Sequence, residues 1–246
     1  MQKILEVIDL SKSFDPGLFQ KKRQVLNGVS FDVFSGDSCG FVGGNGAGKT
    51  TSLKAILGFI RPNHGEIRFW GESLGAKAKQ KIGYLPERPY FYDFMTATEF
   101  LRLHWDLGDA LGTQEFLARR NEVLKQVALF DARDLALRSF SKGMLQRVGL
   151  AQAILHRPEF LILDEPMSGL DPDGRLLVKE LIAEQKKQGT TVFFSSHLLH
   201  DMEELCNRLV VIDAGKIIYQ GDLKGFQLSD QSLEQAFRRL QLGRHN

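Results

Sequence analysis

Residues 43–51 read GGNGAGKTT, and no other stretch of the chain limits its possible folds so sharply. Glycine at this density makes a poor helix or strand interior. The run is nevertheless bounded on one side by CGFV (39–42), a short apolar segment suited to a buried parallel strand. On the other side TSLKAILGFI (51–60) carries Leu53, Ile56 and Leu57 at helical spacing. Gly43, Gly48, Lys49 and Thr50 satisfy the pattern G-x-x-x-x-G-K-[ST] in a strand–loop–helix context that suits a phosphate cradle. Glycine torsions let the main-chain N–H groups of Gly43, Gly44, Asn45, Gly46, Ala47 and Gly48 turn into one concavity. The helix entered at Thr51 adds the positive end of its dipole. Lys49 brings a point charge for β- and γ-phosphates, and Thr50 a hydroxyl for Mg²⁺. A plain glycine turn with a surface lysine, the alternative, accounts for neither the spacing nor the context.

Around this loop the chain alternates. ILEVIDL (4–10) and VLNGVSFDV (25–33) read as strands of an N-terminal antiparallel region. Between them Asp15-Pro16-Gly17 marks a turn, and the basic trio Lys21, Lys22 and Arg23 reads as a solvated hairpin loop. EIRFW (66–70) and KIGYLP (81–86) continue the strand pattern, whereas residues 96–158 carry apolar side chains at three- and four-residue intervals and read as helical. Strands and helices then alternate again: FLILDE (160–165), a helix over 174–188, TTVFFSS (190–196), RLVVID (208–213), KIIYQG, and an amphipathic tail SLEQAFRRL. The fold class expected is α/β, a mixed, largely parallel sheet flanked by helices. At 246 residues the expectation is one domain over 1–246 with an embedded helical subdomain over about 88–158.

Composition narrows the partners. A net charge of +2 gives no general affinity for nucleic acid, so none is expected as a partner. Cys39 and Cys206 lack metal-ligand spacing and read as buried apolar residues. No apolar run reaches the roughly 18 residues that span a bilayer, and MQKILEVIDLSK becomes charged too soon for a secretory leader. The chain is therefore expected to be cytosolic or peripheral, with any membrane role exercised through a partner.

A second chemical element is FLILDE: four apolar residues carry a buried strand to its carboxyl end, where Asp164 and Glu165 emerge at the usual ligand crevice. Asp164 there suits Mg²⁺ held through water, and Glu165 suits a general base for an attacking water. Carboxylates at a strand end also serve as caps or solvated groups; the phosphate loop in the same chain favours the chemical reading.

FSKGMLQR (140–147) resembles the signature LSGGQ-x-Q-R of ATP-binding cassette proteins, SGLD (168–171) resembles their D-loop, and SSH, ending at His197, resembles their switch histidine. With the phosphate loop and FLILDE these form five ordered motifs over essentially the whole chain, which is thereby identified as similar to the nucleotide-binding subunit of an ABC transporter, with that family's P-loop NTPase core. The resemblance implies that two such subunits face each other head to tail around two ATP. It implies that Ser141 and Gly143 meet the γ-phosphate bound by the partner, that His197 contacts the γ-phosphate and helps fix Glu165, and that Asp171 links the two sites. It places Phe14, in LSKSF, where an aromatic stacks on adenine; a core residue at a strand end is the alternative. Ser141 also reads as a helix N-cap, a compatible role. His197 and His200 are three apart, but no third metal ligand is visible.

Two departures stand out. Lys142 and Met144 replace a glycine and the glutamine of the signature, and Glu87 stands where the family has a glutamine that senses the metal. A carboxylate still binds Mg²⁺, so Glu87 joins Thr50 and Asp164 as an expected metal residue. The resemblance further implies an ATPase, peripheral at the cytoplasmic face, homodimeric and powering a separate polytopic membrane subunit. Export is the direction suggested by YLPE and SKGM, and the aromatic segment RPYFYDFM (88–95) is a candidate groove for a helix of that subunit, with core of the helical subdomain as the equal alternative for each of its aromatics. A cassette acting on ribosomes or DNA is the competing possibility.

Overall fold

The computed structural model describes residues 1–15, 22–108, 112–197, 199–226 and 232–242, with residues 241 and 242 described for their backbone alone. The Pro16-Gly17 turn and Lys21 therefore lie outside the described residues. The chain begins with β1 (Lys3–Phe14), β2 (Arg23–Phe34) and β3 (Ser38–Val42), followed by α1 (Lys49–Ile56), β4 (His64–Phe69), α2 (Ala76–Gln80) and β5 (Ile82–Leu85). A helical stretch follows: α3 (Ala97–Leu107), α4 (Thr113–Gln126), two single 3₁₀ turns and α5 (Lys142–Ile154). The remainder is β6 (Phe160–Asp164), α6 (Pro172–Lys187), β7 (Thr191–Ser196), α7 (Leu199–Leu205), β8 (Arg208–Asp213), β9 (Lys216–Asp222), α8 (Leu223–Phe226) and α9 (Leu233–Leu242).

Two compact units divide these elements: residues 1–78 with 193–246, and residues 79–192. In the first, β1 lies between β2 and β4 in an antiparallel sheet, with Val7 opposite Phe31 on one side and Ile67 on the other. Ile4, Leu5, Val7 and Leu10 are buried, and irregular register near Asp9 (φ 48°) lets the strand run on to Phe14, beyond the expected end at Leu10. In the same unit β3 pairs parallel with β8, and β9 returns antiparallel to β8, so the sheet is mixed. Phe31, Phe41 and Phe193 meet with ring centroids 5.4–5.6 Å apart and form the centre of that core. Trp70, expected to close β4, instead takes φ 50° in the turn before Gly71.

In the second unit β5 and β6 pair in parallel, Ile82 opposite Phe160 and Leu85 opposite Leu163. Helix α5 packs on β5 through glycine at both surfaces: a Cβ on Gly83 would run into the Ala153 carbonyl, and one on Gly149 would lie 2.7 Å from Leu85 Cδ1. Arg119, 3% exposed, donates to the carbonyls of Leu155 (2.9 Å) and Ile154 (2.5 Å), so a buried cation meets the negative end of α5. The helices expected over about 88–158 share their compact unit with β5, β6 and α6. Helix α6 begins two residues before its expected start because Asp171 caps it and Pro172 suits its first position.

Candidate functional site

The phosphate-loop residues, Phe14 and His197 fall in the first unit; Glu87, Ser141, Gly143, Asp164, Glu165 and Asp171 fall in the second.

Val42 ends β3, and the loop that follows is stiffer than its composition suggests. A Cβ on Gly43 would sit 2.5 Å from the Ile212 carbonyl oxygen, so only glycine lets the loop leave β3 against β8. Gly46 (φ 77°) and Gly48 (φ 113°) hold left-handed torsions that carry the loop into α1. The Ala47 N–H donates to Gly44 O at 3.2 Å, and the Gly215 N–H to Ala47 O at 2.9 Å. Lys49 is buried, 8% exposed, and its ammonium folds back to donate to Gly43 O at 2.7 Å. Helix α1 starts at Lys49, two residues before its expected start, with Gly48 as a left-handed N-cap that supplies no side-chain bond. Its first-turn amides, beside Thr50 and Thr51, are thus left for an outside acceptor. Space exists for one: beyond the positions of Gly44 and Gly46 nothing stands within 4 Å of an added Cβ, and Asn45 is exposed. Backbone donors, a dipole end and a buried ammonium at one open loop suit a polyphosphate.

Strand β6 is buried throughout and delivers Asp164, 1% exposed, to its carboxyl end. The strand stops one residue short of the expected Glu165 because Glu165 takes φ 50°, a left-handed torsion that aims it away from the ladder and leaves it half-buried. The turn is held by the Ser168 N–H on Glu165 O at 3.1 Å and by Gln146 Nε2 on Pro166 O at 3.2 Å. Beside β6, burial and then the charge of Asp164 push the Tyr84 phenol up to about 12. Glu87 is 44% exposed by side chain, with Arg88 Nε 3.9 Å from its Oε1.

Ser141, Gly143 and Asp171 come together around a hollow of ≈ 500 Å³ that Lys142, Arg147 and Gly169 also line. Ser141 caps α5 by accepting from the Met144 N–H at 3.2 Å, and Asp171 caps α6 by accepting from the Gly174 N–H at 2.9 Å. The stem of Lys142 lies across Gly169, whose added Cβ would be 2.6 Å from the ammonium; with φ 71° that position admits little but glycine. Arg147 donates to the carbonyls of Val127 and Ala128, closing the end of α4. Neither the Lys142–Gly169 contact nor the bonds of Gln146 and Arg147 is written in local spacing, because each partner lies far along the chain.

Phe14 ends β1, 43% exposed, with Lys12 Nζ 5.2 Å from its ring centroid. Lys12 escaped notice in the sequence, although strand period places it on the same face as Phe14. His197 is exposed just after β7. His200 lies 2.9 Å from Glu204 Oε1. Both cysteines are buried, and burial pushes the Cys39 thiol far up.

Thr50, Asp164 and Glu87 each offer oxygen, the donor type that suits Mg²⁺. Among the described residues no group of three His, Cys, Asp or Glu could hold a metal ion. Among the described residues no helix is long and apolar enough to cross a membrane.

A family model described as ABC transporter matches residues 26–168. An uncharacterized ABC transporter ATP-binding protein of Synechocystis sp. is 41% identical over 94% of this chain, which spans 66% of that relative, just under two thirds. The bacitracin transport ATP-binding protein BcrA of Bacillus licheniformis is 38% identical over 94% of this chain and 77% of its own. A solved structure of the ATP binding subunit of an ABC transporter superposes with a TM-score of 0.86 at 32% identity, covering 97% of this chain and 99% of that one. The α/β fold with a mixed, largely parallel sheet and an antiparallel N-terminal sheet is the one expected from the sequence.

Proposed function

The chain belongs to the ABC transporter family, and from that premise we propose that it binds and hydrolyses ATP, pairing with a second copy around two nucleotides to drive transport through a separate membrane-spanning subunit. The observation that carries this reading is the buried, uncapped start of α1 with Lys49 folded onto its glycine loop. The main-chain amides of Gly43, Gly44, Asn45, Gly46, Gly48, Thr50 and Thr51 take the phosphates, Ala47 adds its N–H on release from Gly44 O, and Lys49 exchanges its carbonyl partners for β- and γ-oxygens. Phe14 stacks on adenine. Glu165 takes the proton of the attacking water, and its left-handed torsion fixes where that carboxylate points. His197 contacts the γ-phosphate. Ser141 and Gly143 meet the γ-phosphate held by the partner copy, and Asp171 links the two sites. Thr50, Asp164 and Glu87 are the residues that would hold Mg²⁺. The metal, when bound, neutralises charge on the phosphates.

Because each γ-phosphate joins two copies, binding closes the pair and hydrolysis releases it. The membrane-facing surface is the segment 88–95, where Tyr90 (80% exposed), Tyr92 and Phe94 (67%) form an aromatic row with successive centroids 5.7 and 5.9 Å apart. Such a row suits an apolar helix of the membrane subunit. Phe91, by contrast, turns inward onto Phe100 at 5.1 Å. The likeness to a bacitracin transport ATP-binding protein supports a transport role, and the YLPE and SKGM patterns suggest export as its direction, with the chain peripheral on the cytoplasmic face.

Glu165→Gln is expected to retain ATP and accumulate as a dimer by light scattering with ATP, while the wild-type chain returns to monomer on turnover. A Glu165→Gln chain that binds ATP yet stays monomeric refutes the paired mechanism. Affinity capture from native membranes is expected to recover a polytopic protein; recovery of ribosomes or DNA-repair proteins instead would favour the competing cassette role.

A further inference from the structure

The end of β1 that presents Phe14 is built with unusual care for an exposed strand tip. The ladder with β4 closes at Ser11 opposite His64. Beyond it stand Asn63 and Pro62, and proline has no N–H to extend a ladder. Asn63 continues the pairing: its main-chain N–H donates to Ser11 O at 2.8 Å, and its side-chain Oδ1 accepts from the Ser13 N–H at 2.6 Å. Between these two bonds Lys12, half-buried, donates its ammonium to Arg61 O at 2.7 Å while lying 5.2 Å from the Phe14 ring centroid. Among the described residues no carboxylate pairs with Lys12. An exposed lysine ordinarily wanders; this one is anchored by a main-chain acceptor and placed against an aromatic ring.

We propose that Lys12 and Asn63 are positioning residues that set the Phe14 ring in advance as a platform for the nucleobase of the nucleotide. The proposal rests on the reading of Phe14 as the base-stacking residue and goes beyond it by naming what fixes the ring. The cation occupies one side of the ring and leaves the other for a flat, electron-rich purine. Asn63 holds the edge of the strand tip opposite β2, which pairs with it at Gln24 and Arg23, so the base meets a surface whose ordering cost is already met. Arg61 and Asn63 lie in the segment that leaves α1, the helix carrying the phosphate loop. The same short connection therefore registers the base platform against the phosphate-binding helix.

The test is calorimetric titration of the intact chain with ADP and, separately, with inorganic pyrophosphate, which lacks a base. Lys12→Met and Asn63→Ala each remove one hydrogen bond and are expected to weaken ADP about three- to tenfold while leaving pyrophosphate affinity as it was. Lys12→Arg, which keeps the cation, and Asn63→Asp, which keeps the acceptor, are expected to hold most of the ADP affinity. Phe14→Ala should weaken ADP at least as much as either. If Phe14→Ala weakens ADP but Lys12→Met and Asn63→Ala do not, the positioning proposal fails and the stacking reading survives. If Phe14→Ala leaves ADP affinity intact, the stacking reading fails and the proposal with it. Equal losses for ADP and pyrophosphate would show a merely structural role and also overturn it.

Discussion

Helices α1 and α5 both begin at segments singled out for phosphate recognition, yet they begin in opposite ways. Helix α5 is closed by its own sequence, Ser141 accepting from the Met144 N–H on an exposed corner. Helix α6 does the same with Asp171, and α3 with a full capping box of Thr96 and Glu99. Helix α1 has a left-handed glycine in the capping position, no side-chain bond, and buried residues on both sides of its start. Helix α4 also lacks a side-chain cap, but Gly112 is exposed and water serves there. A buried start without a cap is costly unless something else accepts from it. The difference teaches that α1 is left open to an anion, whereas α5 is complete alone, so the phosphate contact proposed for it would be added to a cap that already works.

The largest effect that tests this contrast is loss of charge. Lys49→Ala at the uncapped end is expected to lower ATP turnover by about 10²–10³-fold, whereas Lys142→Ala at the capped end should cost less than about tenfold; equal losses in steady-state assays would erase the distinction. Backbone strain comes next. Gly48→Ala forces a side chain onto φ 113° and 2.8 Å from Leu26 Cδ2, and is expected to lose about 1–3 kcal/mol, some 2–4 °C of Tm per kcal/mol by calorimetry. Smaller still, Ser141→Ala should cost about 1 kcal/mol through the lost cap, together with weaker ATP-driven pairing in the Glu165→Gln background. Stability loss without a pairing defect would leave Ser141 a cap only. Smallest is Asp171→Asn, which preserves the capping oxygen and should change stability by less than about 0.5 kcal/mol in denaturant titration.

The legibility of the site follows the range of the interactions that make it. The phosphate loop was legible because its donors, lysine and helix are consecutive, so fixed spacing encodes the cradle. The buried strand leading to Asp164 was legible from its unbroken apolar run for the same reason. Less visible were the edges. β1 extends to Phe14, where β2 pairs with it at Gln24 and Arg23 and Asn63, on a different strand connection, binds its other edge. Helix α1 stops near Gly58 (φ 76°) although apolar spacing continues toward Ile60. Gly83 and Gly149 carry no local signal at all; they are glycines because two elements distant in sequence touch there.

Sequence alone determined the order of strands and helices, the strand–glycine loop–helix run that carries Lys49, and the buried strand that ends at Asp164, since these depend on side-chain type, torsional preference and spacing between near neighbours. Only the tertiary structure decided the left-handed turn that aims Glu165, the packing of Lys142 over Gly169, and the anchoring of Lys12 and Asn63 at the tip of β1. Each of these joins groups that spacing cannot relate, because hydrogen bonds and steric contact act through a few ångströms of space whatever the separation along the chain.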